Sequence, residues 1–241
     1  MTDWLVIGSG LIANGIMRIT PNALQMRRPD HDIRAIDRVP STSDGVAVIC
    51  AAVSGIRQCD LFAVRSHDIN VRHTLRVAKL LHANGWNVIM LSSQAALDTT
   101  TAYGQQKAAV EDAWTFGPVV RLPKILHRDH PLICSWKHDL SYGRPIYAYT
   151  DATIQPITVS DTVEAIRYAA RLRFGTVEAP GEPTTWYDLA YEIIERIGYS
   201  VDLIRPQEGG VTYPPLDGNA LRHLGWKSPT IERVIDNLMG Q

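Results

Sequence analysis

A chain of 241 residues with 45% hydrophobic and 20% charged positions has the composition of a folded globular protein, which excludes wholesale disorder. A formal net charge of −1 lacks the basic excess of a nucleic-acid binder, and no apolar run approaches the roughly 18 residues of a membrane span. Three cysteines (Cys50, Cys59, Cys134) without a CxxC pair, and eight histidines without ligand spacing, argue against both a disulfide framework and a metal site. With an apolar strand starting at Trp4 there is no room for a secretory leader, so a cytoplasmic protein is expected.

Trp4 to Ile7 reads as a short buried strand, followed by a glycine turn and a helix over Leu11 to Ile19, the opening of a βαβ unit. Residues 33–37 (IRAID) are the expected second strand. Residues 46–52 (VAVICAA) form a continuous β-branched run, as a strand covered on both faces requires. A helix over Val71 to His82 ends at Gly85. Val88 to Leu91 is the next strand, closing on Ser92 and Ser93. Residues 102–114 read as helix and Val119 to Leu122 as another strand. This alternation predicts an α/β fold of Rossmann type, doubly wound around a mostly parallel sheet.

Beyond Pro123 the periodicity weakens, and residues 127–157 are expected to form a loop-rich lobe. Order returns at Trp186, where Leu189, Ala190, Ile193, Ile194 and Ile197 make an apolar stripe, with Thr185 and Asp188 as a capping pair and Gly198 as the stop. The expected division is a dinucleotide-binding core over 1–126 and a small C-terminal substrate lobe over 127–241, with part of 150–180 returning to the core.

Gly8-Ser9-Gly10-Leu11-Ile12-Ala13 lies between the first strand and the first helix. Glycines there permit a tight turn and close approach of a pyrophosphate, whose charge the helix N-terminus stabilises. An acidic residue ending the second strand would hold the adenosine ribose, and Asp37 is the candidate, 29 positions after Gly8 where about 20 is usual. Arg38 beside it would instead suit a 2′-phosphate, so NAD and NADP both stay open.

Tyr103 and Lys107, four apart in a predicted helix, share one face. A tyrosine is a proton donor with an ordinary pKa near about 10, which an adjacent ammonium lowers. Ser93, at the end of the preceding strand, would hydrogen-bond a substrate oxygen, with Thr100 or Thr101 as alternative hydroxyls. Arg121 and Lys124 flank a strand end near the expected cleft. Trp136, Lys137, His138, Arg144 and Tyr149 offer phosphate- and base-binding chemistry in the lobe. Trp186 and Trp226 are expected in the core, and Cys50 as an inert packed residue within its strand.

The glycine turn, strand-end Ser93 and Tyr103-to-Lys107 spacing resemble the short-chain dehydrogenase/reductase superfamily. Residues 155–161 (QPITVSD), 184–190 (TTWYDLA) and 221–226 (LRHLGW) resemble its extended branch, especially reductases of the dTDP-4-dehydrorhamnose type. That resemblance implies reduction of a keto group on a nucleotide-linked sugar. It assigns carbonyl polarisation to Ser93, protonation to Tyr103 and the nicotinamide-ribose contact to Lys107, with Ala51 and Ala52 lining the adenosine side. It also implies that one helix and one strand of the usual core are missing between Asp37 and Val46. A 4-epimerase holding NAD tightly is the nearest alternative. A 4,6-dehydratase is disfavoured, because Gln94-Ala95 stand where that group carries an acidic pair. A non-catalytic, nucleotide- or cofactor-binding regulatory subunit is the third reading. The expected partners are a small molecule and, in assembly, a homodimer; neither nucleic acid nor membrane is expected.

Overall fold

A computed structural model of the chain describes residues 3–240. Strand β1 (Trp4–Ile7) leads through the glycine turn into helix α1 (Leu11–Ile19) and strand β2 (Leu24–Met26). After a long connection come β3 (Gly45–Ile49), the short helices α2 (Ile56–Leu61) and α3 (Ala63–His67), one wide π turn (Asp68–His73) and α4 (Thr74–Ala83). Strand β4 (Trp86–Ser93), helix α5 (Ala102–Asp112), strand β5 (Val119–Leu122) and the short β6 (Ile125–Leu126) complete the first half. The second half holds α6 (Pro131–Ser141), β7 (Ile146–Tyr149), β8 (Thr153–Ile154), β9 (Ile157–Thr158), α7 (Val159–Ala169) and β10 (Thr176–Glu178). It ends with β11 (Thr184–Thr185), α8 (Trp186–Arg196), β12 (Ile204–Gln207), α9 (Asn219–His223) and α10 (Ile231–Met239).

The main sheet runs β10-β5-β4-β3-β1-β2, and all five of its pairings are parallel. Its strands are apolar on both sides because both are covered. Val6, Val48, Ile89 and Val120 face a cluster with Ala13 and Ile16 of α1 and Val163 and Ile166 of α7. Leu5, Ala47, Val88 and Met90 face another with Val77, Ala78 and Leu81 of α4 and Val110 of α5. The sheet is therefore doubly wound, as the strand and helix alternation predicts. A third apolar cluster lies outside it, built from α6, α8, α10, β7 and β12 around Ile133, Trp136, Ile193 and Val234.

Two expectations are corrected. The second strand is β2, not residues 33–37, which form turns. Ile33 and Ile36 are buried there as plugs against the α4 side of the sheet, and Arg76 ties them down by donating to both of their carbonyl oxygens, at 2.9 and 2.6 Å. Residues 27–44 hold neither helix nor strand, so β2 is left at the sheet edge. This is the shortened core that the spacing of Asp37 and Val46 implies. Residues 127–157, expected as loops, contain α6, whose Ile133, Trp136 and Leu140 lie on one buried face. Mixed charge and histidine on the opposite face hide that stripe in the sequence.

Candidate active site

The sheet order reverses between β1 and β3, and at such a switch point the carboxyl ends of the strands splay into a crevice. Here the crevice is a groove of about 600 Å³, a volume suited to a sizeable small molecule. Gly8, Ser9, Gly10, Leu11 and Ile12 form one wall, and Ala51 and Ala52, just past β3, form another.

The glycine turn is shaped by sterics. Gly8 takes φ +123, and a Cβ there would sit 2.8 Å from the Ala51 nitrogen. Only glycine meets both conditions. A Cβ on Gly10 would meet nothing within 4 Å, so the open space lies on the groove side. No side chain caps the first turn of α1, so its free N–H groups remain available to an anion. This cradle fits the pyrophosphate of a dinucleotide.

Asp37 and Arg38 do not line this groove. Both are exposed in the turns after residue 33, and Arg38 lines a separate hollow beside β2. Arg28, two residues past β2, occupies the groove wall together with His31 and Ile33. It stands 20 positions after Gly8, the interval at which the ribose-contacting residue is expected. Asp32 holds its guanidinium through a 2.9 Å ion pair. The Asp32 carboxyl is itself kept well below its usual range, chiefly by hydrogen bonds from Arg34.

Ser93, Tyr103 and Lys107 come together on the same groove. Strand β4 ends at Ser93, and α5 starts one residue before Tyr103. Thr101 caps that helix by accepting from the Gly104 N–H, which commits its hydroxyl, and Thr100 is exposed. Ser93 is thus the hydroxyl beside Tyr103. Burial pushes the Tyr103 phenol up to about 12, and a hydrogen bond from Ser93 opposes the shift. Lys107 does not lower it as the four-residue spacing suggests. Its Nζ donates to the Leu91 carbonyl at 2.6 Å and lies over the face of the Tyr103 ring, 5.7 Å from its centre. The phenol is therefore a proton-bearing donor at neutral pH.

Burial also pushes Lys107 down to about 8, against the field of Glu111, which favours the charged form. The unfolded lysine titrates near about 10.4, so between about 8 and 10.4 the unfolded chain binds more protons than the folded one. Stability is therefore expected to rise with pH across that window, by roughly 3 kcal/mol in total. Denaturant unfolding of wild type and Lys107→Met at pH 7.5 and 10 measures this. A pH-dependent gain equal in both proteins would remove Lys107 as its source.

Several residues that position the site carry no readable sequence signal. Asn70 lies in the π turn before α4, a distortion that turns its side chain inward. It receives the Val53 N–H at 2.8 Å, returns a bond to the Val53 carbonyl at 2.9 Å, and donates to Gln106 of α5 at 2.7 Å. It thereby fixes the loop after β3 against the helix bearing Tyr103. Cys50 sits one residue past β3 on the groove wall, not within the strand, and burial pushes its thiol up to about 12, leaving it inert.

The residues read as substrate contacts are placed elsewhere. Arg121 does not line the groove; it donates to both carboxylate oxygens of Glu111 and to Glu178. Lys124 turns to the face of Trp186, 6.0 Å from the ring centre, and Arg144 pairs with Asp139 at an exposed helix end. Trp136 is buried in the lobe core and Trp226 in the main core, as expected for Trp226.

No protein-family model and no curated protein matches the sequence. Among solved structures the chain is similar to a dTDP-4-dehydrorhamnose reductase from Bacillus anthracis in complex with NADP, at 16% identity over 99% of this chain and 98% of that one, with a TM-score of 0.84. The fold is that of the dTDP-4-dehydrorhamnose reductases. The enzyme of that name from Yersinia enterocolitica is similar at 16% identity, covering 99% of both chains with a TM-score of 0.81. A UDP-N-acetylglucosamine 4-epimerase from Methanobrevibacter ruminantium reaches a TM-score of 0.77 at 15% identity, over 99% of this chain and 98% of that one. Reductases and an epimerase thus share one architecture, and identity this low leaves the reaction to be argued from side chains.

Proposed function

We propose that the protein is an NADPH-dependent reductase of a keto group on a nucleotide-linked sugar. The observation that carries this reading is the convergence of Ser93, Tyr103 and Lys107 on a groove whose other end is an open glycine cradle. When bound, a nicotinamide dinucleotide supplies hydride. Gly8 to Ile12 would hold its pyrophosphate, and Ala51 and Ala52 would flank its adenosine half. Lys107, which is partly exposed to the groove, would contact the nicotinamide ribose. Ser93 donates to the carbonyl oxygen as charge develops there, and Tyr103 delivers its proton to the same oxygen. A protonated phenol suits the reducing direction, in which the substrate must gain a proton.

Arg28 favours NADPH over NADH, since a guanidinium on the groove wall past β2 suits a 2′-phosphate. Arg28→Ala is expected to weaken NADPH binding by about 10- to 100-fold, the worth of a charge-assisted hydrogen bond, and to leave NADH nearly unchanged. Fluorescence titration with both cofactors decides this, and equal losses for the two would remove the 2′-phosphate assignment.

The function itself is tested by following NADPH oxidation with purified protein and a panel of nucleotide-linked 4-keto sugars. Turnover on one of them with freely exchanging NADPH supports the reductase. NAD that survives purification, with interconversion of 4-hydroxy sugars, would establish the epimerase in its place. Failure to bind any nicotinamide dinucleotide would overturn both and leave a non-catalytic subunit.

A further inference from the structure

Past β2 the groove is edged by turns alone, since residues 27–44 hold neither helix nor strand. The edge facing those turns is helical. Helix α3, the π turn and α4 run without a break from Ala63 to Ala83, and α2 precedes them across a bend at Phe62. Gln58, Phe62, Arg65, Ser66 and Ile69 of this stretch line the groove, at the three- and four-residue intervals of one helix face.

The two sides of this rod have different neighbours. Ser66 and Asn70 are bonded to Gln106 of α5, at 2.8 and 2.7 Å, which turns that side toward the helix bearing Tyr103. Arg65 and Ile69, each one residue earlier, are rotated away from α5. Ile69 is buried in the same apolar cluster as Ile33, with Val53 packed against it. Farther along the rod, Arg76 donates to the carbonyls of Ile33 and Ile36. The rod is thus fixed alongside the turns that carry Arg28, His31 and Ile33, and its groove-facing side meets the end of the groove away from Ser93.

Phe62 and Arg65 have chemistry there that the protein itself leaves unused. Phe62 is 59% exposed, so a flat ring laid against it would remove apolar surface from water. Arg65 is exposed and makes no side-chain hydrogen bond or ion pair among the described residues, whereas Asp32 holds the Arg28 guanidinium at 2.9 Å. Among the described residues no aspartate or glutamate lines the groove, although Arg28, His31, Arg65 and Lys107 do. Positive charge left uncompensated in a crevice suits a ligand with several phosphates.

We propose that Phe62 and Arg65 form the second wall of the adenosine site, Phe62 stacking on the adenine and Arg65 reaching the 2′-phosphate from the side opposite Arg28. This rests on the NADPH reading above and deepens it. The face of α2 and α3 closes an end of the groove that the shortened core leaves to turns.

The test titrates wild type, Phe62→Ala, Arg65→Ala and Val64→Ala with NADPH, NADH and adenosine 2′,5′-bisphosphate. Arg65→Ala is expected to raise the dissociation constants of NADPH and the bisphosphate about tenfold or more, with NADH nearly unchanged. Phe62→Ala is expected to weaken all three by about tenfold, since a lost stack on adenine is indifferent to the 2′-phosphate. Val64, 89% exposed on the same short helix and absent from the groove wall, should be silent on replacement. Wild-type affinities in Phe62→Ala and Arg65→Ala would overturn the inference, as would equal losses of NADPH and NADH in Arg65→Ala. A Phe62→Ala variant that changes oligomeric state on gel filtration and keeps its affinities would assign the ring to a subunit contact instead. If wild type binds none of the three ligands, the NADPH reading itself fails, before any variant is compared.

Discussion

Replacing Tyr103 by phenylalanine is expected to lower kcat by about 10²- to 10⁴-fold while leaving NADPH binding nearly intact. The variant removes one hydroxyl and keeps the ring, so the packing of α5 and the contact between Lys107 and the ring face, 5.7 Å from its centre, persist. Only the proton donor and its bond with Ser93 are lost. Because the Tyr103 pKa lies at about 12, loss of its proton does not limit the wild-type rate in any ordinary buffer. The alkaline limb of the pH profile should instead follow Lys107, near about 8, as its charge is lost. Steady-state kinetics and a cofactor titration on the two proteins are sufficient. Activity within a few-fold of wild type would mean that the proton comes from elsewhere.

The legible parts of this molecule are those that repeat a period. Strands β1, β3, β4 and β5 are continuous apolar runs because helices cover both faces, and α8 shows its stripe because one face alone is buried. Ser93, Tyr103 and Lys107 were legible for a related reason, since strand end and helix spacing fix their relative places. What the sequence hid lacks a period. Strand β2 has three half-exposed residues at a sheet edge, too few to alternate visibly, whereas the apolar IRAID turn imitates a strand by burying Ile33 and Ile36. That exchange drew the sequence reading to Asp37, whereas the residue past β2 that lines the groove is Arg28. Asn70 looks like any polar helix residue until the π turn rotates it inward, and the irregular segment 208–218 is ordered by scattered side chains of Gln94, Asp151, Gln155 and Glu178.

Arg121 reads in the sequence as a candidate substrate contact because it lies at a strand end near the expected cleft, and its placement instead carries the largest expected loss of stability. Arg121→Met should destabilise the protein by about 3–5 kcal/mol, the usual result of removing one partner from a buried ion pair. The Glu111 side chain is only 9% exposed, and Arg121 contacts both of its oxygens, at 2.6 to 3.1 Å. A third guanidinium nitrogen donates to Glu178 at 2.8 Å, while Ser92 donates its hydroxyl to Glu111. Without the arginine, Ser92 is left as the main partner of a desolvated carboxylate. For a chain of this size the loss corresponds to a melting temperature lower by on the order of 10 °C. Adding Glu111→Gln should recover much of it, because the stranded charge goes with the carboxylate, although Glu111→Gln alone is itself destabilising. That non-additivity separates a charge effect from lost packing of the arginine stem. Double-mutant denaturation measures it, and strictly additive losses would show that the network contributes no coupling.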